Sequence, residues 1–434
     1  MIGKARVLRG AAALAALALL AACGNDSGGG GDTASGGGGL QGNGEITFAT
    51  GKDTSGNMVK LVDEWNAAHP NEKVRIVELP ESADGQRQQL VQNAQVKSDA
   101  YTVLNLDVVW TAEFAANRWV DELPQDQFEL DKFLKPAVDT GKYRDKLYAM
   151  PVYSDGGLLY YRKDLLDQVG LQAPKTWTEL TTACQKVAAS VPAAAGMGCY
   201  AGQFEKYEGL TCNFAEAVQS AGGALLDAEG KPTVNTEQAK TGLTTLVQGF
   251  QAGAIPQKAI TFKEEEGRRA FQAGELLFHR QWPYQWALAN KTDGSSQVAG
   301  KFDVAPLPGV TGPGSSTLGG HNFAISAFGK NKATALEFIK FFTSEKSERS
   351  NLIATSQAPT RESLYSDAEL TKQFPYLPTL KASIESAKPR PQAVKYGDVT
   401  AAIQENAYAA LTNAKTPEQA LADMQKKLEE LTKQ

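Results

Sequence analysis

Between residues 45 and 109 the chain alternates three short β-type runs with two helix-type runs, and this alternation restricts the fold more than any other feature. Residues 45–50 (EITFAT) form a strand-like run that Gly51 breaks. Met58, Leu61, Val62 and Trp65 then recur at helical spacing until His69-Pro70 stops them. Residues 73–79 (KVRIVEL) alternate again, 86–97 read as a polar-faced helix, and 103–109 (VLNLDVV) form a strong third strand. Strands that alternate with helices predict a parallel sheet covered by helices on both faces. Ligands of such sheets lie beyond the carboxyl ends of the strands, so the loops after Thr50 and Leu106 are the places to look.

A second unit begins near Val152. Residues 158–162 (LLYYR) predict a strand, 164–169 a short helix, and Thr176-Trp177-Thr178-Glu179 a capping-box helix start. Helices follow at 213–220, 236–252 and 264–273, and a strand at 275–278. Beyond the Gly/Pro-rich stretch 306–314, residues 323–326 read as a strand and 333–343 as an apolar-faced helix. The tail from 399 to 431 is helical and amphipathic. About 390 residues make up this body, a length that suits two domains.

The N-terminus carries an export pattern. Lys4, Arg6 and Arg9 precede an apolar run over 11–22 that is too short to span a bilayer and closes on Leu20-Ala21-Ala22-Cys23. A Cys after Leu-Ala-Ala resembles the lipobox of bacterial lipoproteins, in which the thiol is diacylated and becomes the new N-terminus. Residues 24–44 are mostly Gly with Ser, Asp and Asn, a composition that buries too little to offset its ordering entropy and predicts a flexible linker. A net charge of −5 with no basic stripe argues against nucleic acid as partner. Cys184, Cys199 and Cys212 remain in the body, and two of them can pair in an oxidising compartment. Cys184 falls on a predicted helix and Cys199 on the strand returning beside it, which favours that pair. With no C-x-x-C and three His, neither a zinc site nor another cofactor is expected.

Trp282-Pro283-Tyr284-Gln285-Trp286 is the densest aromatic cluster. Pro283 suits a first helical turn, placing Trp282 at the helix mouth and Tyr284 and Trp286 within it. Aromatic faces beside a cleft hold sugar rings, although such a cluster serves core packing equally well. Asp107 lies in an apolar strand and Asp155 just before one. A carboxylate there is costly unless paired, so each either has a backbone or Arg partner or accepts from ligand hydroxyls.

These residues belong to longer stretches: VLNLDVVWTAEFA from Val103, PVYSDGGLLYYRKDLL from Pro151, QWPY from Gln281, LGGHNFAIS from Leu318 and KPRP from Lys388. In this order they resemble the extracellular sugar-binding components of ATP-driven importers, most of all the trehalose/maltose-binding branch, over nearly the whole body. The resemblance implies an α/β, two-lobed periplasmic-binding-protein-like fold with hinge-linked lobes and an interlobe ligand cleft. It divides the chain into lobe 1 (45–151), lobe 2 (152–305), a lobe 1 return (306–343) and a helical completion of lobe 2 (344–434). It further implies a monomer that delivers an α-glucosyl disaccharide, trehalose ahead of maltose, to an ABC permease pair with its cytoplasmic ATPase, held at the membrane by the lipid on Cys23.

By the same resemblance Asp107 and Asp155 accept glucosyl hydroxyls, Trp282 and Tyr284 stack on the sugar, Gly319 and Gly320 line the cleft, and Arg390 donates to the ligand. Gly319-Gly320 as a plain turn and Arg390 as a surface ion pair are the alternatives. Arg87 is a further candidate near the start of its helix. Asp53 is placed either to bind sugar or to cap the next helix. His321 stands where relatives often carry Trp, so it removes stacking area and adds a polar group. Two other functions fit parts of the pattern. An exported glycoside hydrolase also needs carboxylates and aromatics in a cleft, and a receptor for polyamines would need more cleft carboxylates.

Overall fold

Two sheets carry the body, and each collects strands from separate stretches of the chain. The computed structural model describes residues 40–53, 55–227 and 229–432; Cys23, its signal segment and linker residues 24–39 lie outside the described residues. The strands are β1 (Ile46–Thr50), β2 (Val74–Glu78), β3 (Val103–Asp107), β4 (Lys142–Tyr143), β5 (Lys146–Leu147), β6 (Ala149–Tyr153), β7 (Leu158–Tyr161), β8 (Gly198–Ala201), β9 (Leu276–Gln281), β10 (Asp303–Ala305) and β11 (His321–Ile325). The first sheet has the order β2-β1-β3-β11-β6 and the second β10-β7-β9-β8, with β4 and β5 as a separate hairpin.

β1 pairs in parallel with both β2 and β3, as the alternation with helices requires. β11 runs antiparallel to both β3 and β6, so the first sheet is mixed rather than parallel throughout. β11 re-enters from the second lobe, and an antiparallel partner needs no crossover helix of its own. Alternation along β1 sends Phe48 to one face, with Phe323, Phe338 and Phe342, and Ala49 to the other, with Leu104, Leu106 and Trp110. The second sheet is buried among helices, including Trp177–Ser190, Glu208–Ser220 and Tyr396–Leu411.

The first two crossings between lobes fall later along the chain than the resemblance places them. Val152 and Tyr153 still belong to the first sheet. The stretch from Pro306 stays with the second lobe, because Leu307 and Leu318 enter its core, Gly309 bridges to Thr176 and Thr317 bridges to Lys388. First-sheet pairing resumes at His321. After the helix Lys332–Phe342, Leu352 is again in the second core.

Other local differences have clear causes. β9 continues past Phe278 through His279, Arg280 and Gln281, which are polar yet fully buried. The amphipathic tail is two helices, Tyr396–Leu411 and Pro417–Thr432, separated where Asn413 adopts a φ of 59°. Residues 40–44 are not free linker: the carbonyls of Gln41 and Gly42 accept from the amides of Lys332 and Ala333, donors that a helix N-terminus leaves unsatisfied. At the capping-box start read from the sequence, Thr176 Oγ1 accepts from the Glu179 amide at 3.1 Å, while Glu179 reaches back to the Lys175 amide at 2.7 Å. Cys184 and Cys199 form a disulfide with Cα atoms 5.5 Å apart, and Cys212 is free and buried. Among the described residues no helix is long and apolar enough to cross a membrane.

Candidate ligand-binding site

A cavity of about 760 Å³ lies between the lobes. Its first-lobe floor is built by strand register. His321 on β11 pairs with Asp107 on β3 and with Tyr153 on β6, so the three stand in a row across the end of the sheet. Asn105 precedes Asp107 by two residues and shares its face. Gly320 holds a φ of 112°, and a Cβ there would lie 2.3 Å from the Tyr153 carbonyl oxygen, so this position admits only Gly.

The second-lobe wall follows from β9. Arg280 is buried in that strand, and its Nε donates to Glu216 Oε2 at 2.8 Å and its Nη1 to Gln203 Oε1 at 3.0 Å. Its guanidinium lies 3.7 Å from the centroid of the Trp282 ring, a cation–π platform that orients the indole. Tyr284 sits at the N-cap of the helix Gln285–Ala289, not within it, and its hydroxyl donates to Glu265 at 2.8 Å. Trp286 leaves the cluster and packs in the core against Phe302 and Tyr376. Gly319 separates the aromatic from the acid: a Cβ there would lie 2.9 Å from Trp282 ring carbons and 3.4 Å from Asp155 Cβ.

Asp155 Oδ1 is buried and has no hydrogen-bond partner. Burial pushes this carboxyl up from 3.8 to about 7, with Arg280 opposing the rise and Asp107 adding to it. The folded protein therefore takes up a proton as pH falls through about 7, whereas the unfolded chain does so only near 3.8. Ligand-free stability is expected to fall as pH rises across that interval. Hydroxyl donors would favour the carboxylate, so binding should release a proton and tighten between about pH 6 and 8. Calorimetry in two buffers of different ionisation heat measures that proton; a heat independent of buffer contradicts the assignment.

Asp107 is already partnered. Arg390 Nη2 donates to its Oδ1 at 2.6 Å and Nη1 to its Oδ2 at 3.2 Å, while the Val109 amide donates to Oδ1 at 3.1 Å. Arg390 Nη1 also donates to Glu208 Oε1 at 2.6 Å. Glu208 is buried and further accepts from Tyr396 and from Thr400 at 2.7 Å, and its amide donates to Asp84 of the first lobe at 3.0 Å. Burial raises the Glu208 carboxyl, and Arg390 opposes the rise. Arg390 thus joins the lobes; of its donor atoms, Nε is buried and unpartnered.

Two candidates serve the scaffold. Asp53 lines the cavity mouth but accepts from the Ser55 hydroxyl at 2.6 Å and from the amides of Ser55, Gly56 and Met58 at 2.8, 3.1 and 2.9 Å. Burial raises this carboxyl, but the Ser55, Val59 and Met58 donors outweigh it and hold it below the usual range. Asp53→Ala is therefore expected to cost about 1 kcal/mol of stability through the lost cap, read by urea unfolding, with sugar affinity little changed. Arg87 does not line the cavity; its Nε donates to buried Glu113 at 2.8 Å. The other eight candidates, Asp107, Asp155, Trp282, Tyr284, Gly319, Gly320, His321 and Arg390, line one cavity with Asp53. Asn105, Tyr153 and Glu208 line it too, beyond the candidates that the sequence marks. Asn105 was legible as the polar partner two residues before Asp107, whereas Glu208 carries no signal in the sequence.

Residues 50–349 match the family of bacterial extracellular solute-binding proteins. The chain belongs to that family. It is 34% identical over 379 residues to a probable ABC transporter-binding protein of Deinococcus radiodurans, covering 85% of this chain and 89% of the relative. The maltose-bound structure of T. maritima MalE3 is 34% identical with a TM-score of 0.84, covering 89% of this chain and 99% of that one. A solute-binding protein of Agrobacterium vitis S4 with bound D-mannitol is 25% identical with a TM-score of 0.75, covering 89% and 97%. The two-lobed α/β fold is the one these proteins share.

Proposed function

We propose that this protein is the substrate-binding component of an ATP-driven sugar importer and holds an α-glucosyl disaccharide between its lobes. The observation that carries this reading is the pairing, across Gly319, of an Arg280-backed indole with the unpartnered Asp155 oxygen in an interlobe cavity. An aromatic face packs against sugar C–H groups while a carboxylate accepts from the hydroxyls. Trehalose, which the sequence resemblance puts first, and maltose, found in the T. maritima relative, are the two sugars to separate. Delivery would be to a permease pair with its cytoplasmic ATPase, by a monomer anchored outside the membrane through lipid on Cys23.

Five of the cavity's eight acids are already engaged, which leaves Glu81, Glu264 and Asp155 without a cationic partner among the described residues. Glu265 is paired with Arg268, Glu266 with Arg269, and Asp107 and Glu208 with Arg390, while Asp53 is spent as a cap. The hydrolase reading has one observation in its favour, since burial raises the Asp155 carboxyl to about 7, as a general acid requires. The full-length protein without its signal is tested by thermal shift against trehalose, maltose and spermidine. Either sugar should raise the melting temperature by mass action and spermidine should not. Glucose released from either disaccharide on prolonged incubation would replace the receptor by a hydrolase.

A further inference from the structure

His321 occupies the centre of the row Asp107–His321–Tyr153 on the cavity floor. Its ring is stacked on Tyr153, centroids 5.0 Å apart and planes at 28°. Nδ1 lies 3.1 Å from Asn105 Oδ1. The Asn105 amide is itself anchored, because its Nδ2 donates to Thr50 Oγ1 at 2.9 Å, which turns its oxygen toward the imidazole. An amide oxygen only accepts, so Nδ1 carries the hydrogen. A neutral imidazole has one N–H, which leaves a lone pair on Nε2. Nε2 has no partner among the described residues, and His321 lines the cavity.

Resting on the sugar-binding reading, we propose that His321 is a specificity-determining acceptor: Nε2 takes a hydrogen bond from a ligand hydroxyl, so the site selects a solute that presents an OH donor to the first-lobe floor. The surroundings keep the ring neutral for this role. Burial lowers its affinity for a proton, Arg390 acts in the same direction, and Asp107 on the adjacent strand opposes them; Tyr153 beneath it stays protonated because burial raises the phenol. A polar group left without its hydroxyl on binding is a penalty, and a deoxy analogue or an ether at that position incurs it.

Imidazole ¹⁵N resonances of the ligand-free protein at neutral pH report the tautomer directly. The expected spectrum is Nδ1–H with a bare Nε2, and saturation with maltose should shift Nε2 by more than Nδ1. Calorimetric titration with maltose then compares two variants whose folding is checked by thermal melts. His321→Gln keeps an acceptor and should stay within about threefold of native, whereas His321→Phe should weaken binding by about tenfold. An Nε2–H spectrum, or His321→Phe binding as tightly as native, overturns the proposal alone. An Nδ1–H spectrum in a native protein that binds neither maltose nor trehalose overturns the sugar reading and, with it, the ligand assigned to His321.

Discussion

Arg390→Met is expected to lower the unfolding free energy by about 3–5 kcal/mol, because it strips two buried carboxylates of the cation they share. Asp107 belongs to the first sheet and Glu208 to a second-lobe helix, so the loss falls on the contact between lobes. Chemical unfolding checks the magnitude. The double variant Arg390→Met/Glu208→Gln should recover part of it, since one uncompensated charge is removed. The functional consequence follows from population shift. A receptor whose closed form is less occupied binds its ligand more weakly by that fraction, even with every ligand contact intact. Ligand-free X-ray scattering should show a larger radius of gyration for Arg390→Met than for native protein. Native-like stability would mean that the Asp107–Arg390–Glu208 link contributes nothing.

Trp282→Ala and Asp155→Ala should each weaken disaccharide binding by roughly 1–3 kcal/mol, the first through lost stacking and the second through lost charge-assisted hydrogen bonds. Only the first should cost stability. Removing Trp282 uncovers the Arg280 guanidinium and costs some packing. Removing Asp155 deletes a buried acceptor with no partner, so the ligand-free variant should be as stable as native or more so near neutral pH. A stability gain coupled to a loss of binding marks a group placed for a ligand. Unchanged affinity in both variants would remove the site assignment.

Much of the fold is legible in the sequence because its signals are local. The alternation over residues 45–109 gives three parallel strands of the first sheet, and the aromatic cluster after β9 marks the cavity wall. What the sequence does not show depends on contacts between distant segments. His279 and Arg280 fall beyond the strand read at 275–278, yet β9 runs through them because Glu216, sixty-four residues away, neutralises the guanidinium inside the core. Arg390 reads as a ligand donor, and only its position opposite both Asp107 and Glu208 turns it into an interlobe link. Asp53 left two roles open. The loop places its carboxylate over the amides that start the helix Asn57–Ala68, three residues ahead of the N-cap Gly56, and these contacts favour the helix-start role. Glu208 opens a helix without any capping or spacing signal of its own, so no reading of the chain alone finds it.

Isothermal titration of the native protein with trehalose and with maltose tests the central claim most directly. The structure predicts saturable binding at one site per chain by at least one of the two, accompanied near pH 7 by release of a proton from Asp155. No saturable heat with either sugar, at concentrations up to the millimolar range, would contradict it.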